Sequence, residues 1–130
     1  MKTQVVVNKS DHKIICTAFA NGKQHDFRLY KESKTRIHEN IEVELDTGYT
    51  GIKEHHKKSV LPKKKTKNNP LTKEEKAFNR TVSRQRVTNE HAIGFIKRFK
   101  ILSERYRNRR KRFGLRCNLI CGLCNFDRAA

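Results

Sequence analysis

A chain of 130 residues in which 35% are hydrophobic and 34% charged holds enough apolar material for one modest core, which excludes two independent domains and general disorder. Its formal charge of +18 selects an anionic partner, and the excess is local: residues 1–54 carry nine Lys/Arg against eight Asp/Glu, residues 55–130 twenty-two against five. Cations near phosphates release condensed counterions, so the second half points to nucleic acid. The first apolar run, Val5-Val6-Val7, is too short for a secretion signal and no stretch reaches transmembrane length, so a cytoplasmic protein with reduced thiols and no membrane partner is expected.

Lys2 to Asn8 and Ile14 to Ala20 are β-rich runs around the polar stretch Lys9 to Lys13, which predicts an antiparallel hairpin. His25 to Ser33 reads as a short helix with Asp26 in its first turn, where a carboxylate favours the helix dipole. Ile41 to Asp46 alternates strictly and predicts a strand with Ile41, Val43 and Leu45 on one face and Glu42, Glu44 and Asp46 on the other. The glycines of Thr47-Gly48-Tyr49-Thr50-Gly51 end it in a tight turn, placing Asp46 at the strand's C-terminal rim, where functional groups gather in α/β sheets.

Residues 55–71 show no periodicity and read as a mobile basic loop that touches DNA backbone or is simply solvated. Thr72 and Glu75 have capping-box spacing, and a long helical pattern runs from there towards Lys100. The basic segment 105–116 is densest at Arg105 to Arg112, where six of eight residues are cationic, among them Arg107, Arg109, Arg110, Lys111 and Arg112. These are the strongest phosphate-binding candidates. The tail, Phe113 to Phe126, returns to apolar character and is expected to pack on the core.

Within the long helix Glu90 is the one acidic residue between Glu75 and Glu104. At about 100° per residue, Ser83, Arg86 and Lys97 fall at roughly +20°, −40° and −20° from it, so a serine, an arginine, a carboxylate and a lysine share one face. Pairing of Glu90 with Arg86 one turn away accounts for part of this pattern but not for Lys97.

Asp46-Thr47-Gly48-Tyr49-Thr50-Gly51-Ile52, followed by Arg86-x-x-x-Glu90 and Lys97, resembles the second and third acidic motifs of bacterial insertion-sequence transposases of the DDE superfamily. Arg98 to Leu102, Tyr106 to Arg110 and Phe113 to Arg116 resemble that family too, so the likeness covers nearly the whole chain, read as residues 1–130 of a partial catalytic domain. The resemblance implies an α/β fold of the RNase H-like kind, a mixed sheet with flanking helices, although incomplete here. It implies three carboxylates holding two divalent cations, Mg²⁺ or Mn²⁺, for phosphodiester cleavage and strand transfer at transposon ends. Asp46 would be the second acidic ligand and Glu90 the third, Lys97 would contact DNA near the cut, and Arg86 would orient Glu90 or a phosphate. Ser83 stands where related elements often have tyrosine.

In the family the first catalytic Asp lies on a strand before the one that Lys2 to Asn8 resembles, and Asp11 in a hairpin turn and Asp26 at a helix start are poor substitutes. The expectation is an N-terminally truncated, nucleoid-associated transposase, inactive alone, whose Asp46 and Glu90 approach each other. Transposon ends and target DNA are the expected partners, with a homo-oligomer or an upstream reading-frame product as protein partners. A non-catalytic basic nucleic-acid-binding protein is the alternative; it accounts for the charge but not for the acidic motifs. Cys117-x-x-x-Cys121-x-x-Cys124 has the spacing of radical-enzyme iron–sulfur motifs, but the apolar residues between favour small buried thiols. Cys16 and the His55-His56 pair complete no metal set.

Overall fold

The structure, a computed structural model, describes residues 1–129. Its elements run β1 (Lys2–Val7), β2 (Ile14–Ala20), α1 (Asp26–Glu32), β3 (Val43–Glu44), β4 (Ser59–Val60), α2 (Lys73–Lys97), α3 (Lys100–Ser103) and α4 (Phe113–Ala129), with 3-10 turns at Thr47–Tyr49, Ile52–Glu54 and Arg110–Arg112. The chain is mixed α/β, and its strands form two separate pairs: β1 with β2 antiparallel, β3 with β4 parallel. Contacts divide it into two compact units, a terminal one of Met1–Gln24 with Thr88–Ala130 and a central one of His25–Val87.

In the terminal unit the hairpin runs in register from Lys2 opposite Ala20 to Val6 opposite Cys16, with an irregularity before Val7. Its turn is closed by side chains: Asn8 Oδ1 accepts from the Ser10 N–H and hydroxyl, and Asp11 Oδ1 accepts from the Lys13 N–H. Asp11 is thus a turn-forming residue. The core gathers Ile96, Phe113, Cys117, Ile120, Cys121 and Cys124, with Val5, Ile14 and Phe19 of the hairpin packed against it. Asn125 fastens α4 to β2 by accepting from the Ile14 N–H at 2.8 Å and donating to its carbonyl at 2.9 Å.

The thiols therefore lie where the apolar tail suggested. Hydrogen bonding to Cys121 and then burial push the Cys117 thiol up, and the same bond lowers that of Cys121. On the opposite face of α4, Leu115, Leu119, Leu123 and Phe126 are exposed, so this helix is apolar on both sides.

The central unit corrects two expectations. The predicted strand over Ile41–Asp46 is reduced to Val43–Glu44, because only these residues find a ladder partner, Ser59–Val60. The Ile41 carbonyl instead accepts a 2.6 Å hydrogen bond from the buried ring of His56. The partner strand lies inside the stretch read as structureless loop, and that stretch is also tethered further on. The Lys63 N–H donates to Asn79 Oδ1 at 2.8 Å and its carbonyl accepts from Asn79 Nδ2 at 3.0 Å.

The capping box forms in both directions: the Glu75 N–H donates to Thr72 Oγ1 at 3.2 Å and the Thr72 N–H to Glu75 Oε2 at 3.1 Å. The Thr72 N–H and then Lys63 hold the Glu75 carboxyl below its ordinary range. Thr72→Ala should lower stability by about 1 kcal/mol in urea denaturation, the usual cost of a lost N-cap. An unchanged midpoint would mean that α2 is held at this end by other contacts.

Candidate functional site

In the central unit Asp46 caps the 3-10 turn Thr47–Tyr49. Its Oδ1 accepts from the Thr47 N–H at 2.6 Å and from the Thr47 hydroxyl at 3.2 Å, which fixes the carboxylate at the end of β3. Oδ2 faces Arg86 Nη2 of α2 at 3.4 Å, with the Asp46 side chain 56% exposed. An ion pair this open contributes at most about 1 kcal/mol, so its partners can be exchanged for other charged groups at little cost.

Arg86 was expected to orient Glu90 or a phosphate; the partner the structure gives it is Asp46, 40 positions earlier. The pair joins the Asp-Thr-Gly motif to the arginine of the Arg-x-x-x-Glu motif. Glu90 and Lys97 are exposed residues of α2 and belong, with the basic segment, to the terminal unit.

The turn after Asp46 is backed by α1. Gly51 has a φ of 97°, a left-handed conformation that favours glycine, and a Cβ there would lie 3.2 Å from the Phe27 ring. Burial first, then the charges of Asp26 and Asp46, push the Tyr49 phenol up to about 12. The unfolded chain releases this proton near the ordinary value of 10.0, so the folded state holds it longer. The stability from this group is therefore complete below pH 10.0 and is lost as pH rises to about 12. Urea midpoints across that window should fall, and less steeply in Tyr49→Phe. Equal declines in both proteins would assign the loss to other groups.

In the terminal unit the basic segment is mounted on an aromatic anchor. Tyr106 packs edge-on against Phe113, ring centroids 4.8 Å apart, donates its hydroxyl to the Arg109 carbonyl and accepts from Arg116. Arg107, Arg109, Arg110, Lys111 and Arg112 are exposed on this mount. Composition marked the cations but gave no sign of Tyr106, whose position within the basic run conceals its packing role.

Other cations of this unit are structural: Arg98 pairs with Asp127 at 2.7 Å and lies 4.0 Å over the Phe95 ring, which Arg128 also approaches at 4.8 Å. Among the described residues no group of three or more His, Cys, Asp or Glu is gathered as a metal site. No helix of the described residues is long and apolar enough to cross a membrane.

Comparison with known proteins gives this geometry a context. The family described as "DDE superfamily endonuclease" matches residues 1–125. A probable transposase for insertion sequence element IS702 from Microchaete diplosiphon is 46% identical over 129 residues, covering 99% of this chain and 47% of the relative. The chain thus spans about half the length of that relative. No solved structure matches it.

Proposed function

We propose, from the premise that this chain belongs to the DDE superfamily of insertion-sequence transposases, that it supplies the second and third acidic residues of a metal-dependent DNA-cutting and DNA-joining domain with an RNase H-like fold. The observation that carries the reading is the 3.4 Å pair between Asp46 and Arg86. It sets the Asp46 carboxylate against the arginine of the Arg-x-x-x-Glu motif. A purely non-catalytic nucleic-acid-binding protein accounts for the cationic surface but not for the family to which the chain belongs.

The donor chemistry suits Mg²⁺ or Mn²⁺. Carboxylate oxygens are hard donors, and Asp46 is exposed, with one oxygen fixed by Thr47 and the other held by a weak ion pair. Asp46 and Glu90 would hold the cations, together with the first of the three carboxylates such a site uses. Once bound, a pair of such cations stabilises the attacking and leaving oxygens of an in-line displacement.

The chain's own cations have separate tasks in this reading. Arg86 keeps Asp46 aimed and, with the carboxylate on a cation, would be free to contact a DNA phosphate. Lys97 contacts DNA near the scissile bond. The segment from Arg107 to Arg112 binds duplex backbone without reading bases. The partners are transposon ends and target DNA, and the place of action is the nucleoid. The reading is tested by nicking of supercoiled plasmid in Mg²⁺ or Mn²⁺ by this chain and by a protein of the relative's full length. Nicking by the longer protein that survives Glu90→Ala would overturn the assignment of Glu90.

A further inference from the structure

Asp26 opens α1, a position where a carboxylate needs no explanation beyond the helix dipole. Its surroundings give it another task. A Cβ on Gly48 would overlap Asp26 Oδ2 and lie 3.2 Å from its Cγ and 3.3 Å from its Cβ, so the carboxylate rests on the bare Cα of Gly48. The next residue, Phe27, places its ring against Gly51. Two consecutive side chains of α1 therefore close on the two glycines of the turn that Asp46 begins, and α1 packs on that turn. Both glycines are needed for this fit, one for clearance and the other for clearance and its positive φ.

We infer that Asp26 is a positioning residue for Asp46: packed on Gly48, it holds the Thr47–Tyr49 turn in the conformation that aims the Asp46 carboxylate at its ligand. The inference rests on the reading of Asp46 as a metal ligand, but its structural half stands apart from that reading. The path from this contact to Asp46 is short: Asp26 packs on Gly48 without a covalent bond, and the backbone carries the rest. Gly48 is two residues beyond Asp46, and the Thr47 N–H between them donates to Asp46 Oδ1. Movement of Gly48 is therefore carried to the bond that orients Asp46. The raised phenol of Tyr49, which senses the charges of Asp26 and then Asp46, is consistent with both carboxylates lying around one turn.

The test is an amide ¹⁵N–¹H spectrum of this chain, first without metal and then titrated with Mn²⁺, whose paramagnetism broadens amides near its binding site. In metal-free protein the Thr47 amide reports its bond to Asp46. Asp26→Ala and Gly48→Ala should both displace that resonance, the first by emptying the space and the second by expelling Asp26. Asp26→Asn, which has the same shape, should restore it. On Mn²⁺ addition, Asp26→Ala should raise the concentration that half-broadens Thr47 and Gly48 by about tenfold, the usual effect of losing a group that orients a ligand.

A Thr47 resonance unmoved in both Asp26→Ala and Gly48→Ala would overturn the inference. If Asp26→Ala fails to fold, Gly48→Ala and Asp26→Asn decide it by the same resonance. Asp46→Asn separates the two claims: broadening that survives it removes Asp46 as the ligand, while the metal-free spectra still decide whether Asp26 positions the turn.

Discussion

Replacing Arg107, Arg109, Arg110, Lys111 and Arg112 together by Ala should reduce the salt dependence of duplex DNA binding more than any other surface change in this chain. Each phosphate contact contributes about 0.9 to the slope of log affinity against log salt, so five contacts would remove up to about 4.5. Loss of these five should weaken binding by similar factors on unrelated sequences, because backbone contacts position a protein without reading bases. The fold should survive, since these side chains are exposed and the segment is anchored by Tyr106 on Phe113. Anisotropy titrations of two unrelated duplexes over a range of salt would measure both quantities. An unchanged slope would move the DNA surface elsewhere, the exposed Lys64, Lys65 and Lys67 being the next cationic group.

The contrast with Arg98 and Arg128 shows why cation counts alone mislead. Arg98 is held by Asp127 and by the Phe95 ring, and Arg128 donates to the His12 carbonyl while lying over the same ring. Their replacement should lower stability and leave the salt slope nearly untouched.

These differences also mark what the sequence could convey. The hairpin was legible because β-rich composition and a polar turn stretch agree, with Asn8 and Asp11 closing the turn through their own side chains. The start of α2 was legible because Thr72 and Glu75 satisfy each other over three residues. Signals that depend on distant partners were lost. The alternation over Ile41–Asp46 overstated β3, since a strand extends only as far as its neighbour, and that neighbour sits in a lysine-rich stretch with no period.

The site was legible by residue type and not by connection. Periodicity placed Arg86 beside Glu90 because helical spacing reveals only local neighbours; its partner Asp46 lies on another element. Asp26 carried a sufficient local explanation, so nothing drew attention to its packing on Gly48. The tail was read correctly as apolar, but composition could not divide its face towards the core from Leu115, Leu119, Leu123 and Phe126 on the outside.

The chain of 130 residues by itself should not nick supercoiled plasmid in Mg²⁺ or Mn²⁺, whereas a protein of the IS702 relative's full length should. The argument is ligand count: Asp46 and Glu90 are two carboxylates, and in-line attack between two cations requires that both ions be fixed relative to the attacking and leaving oxygens. Two carboxylates can bind a cation, but they leave most of each octahedral shell to water and do not fix two ions relative to each other. Glu90→Ala in each protein serves as the control, and should abolish nicking by the longer one with a loss of at least about 10³-fold, as for groups that act as a unit in catalysis. Contaminating nuclease would be recognised because it ignores Glu90. Glu90-dependent nicking by the short chain would overturn the prediction and require a third carboxylate from within it. Asp11 is committed to its hairpin turn, so the candidate would be Asp26, resting on Gly48 two residues beyond Asp46.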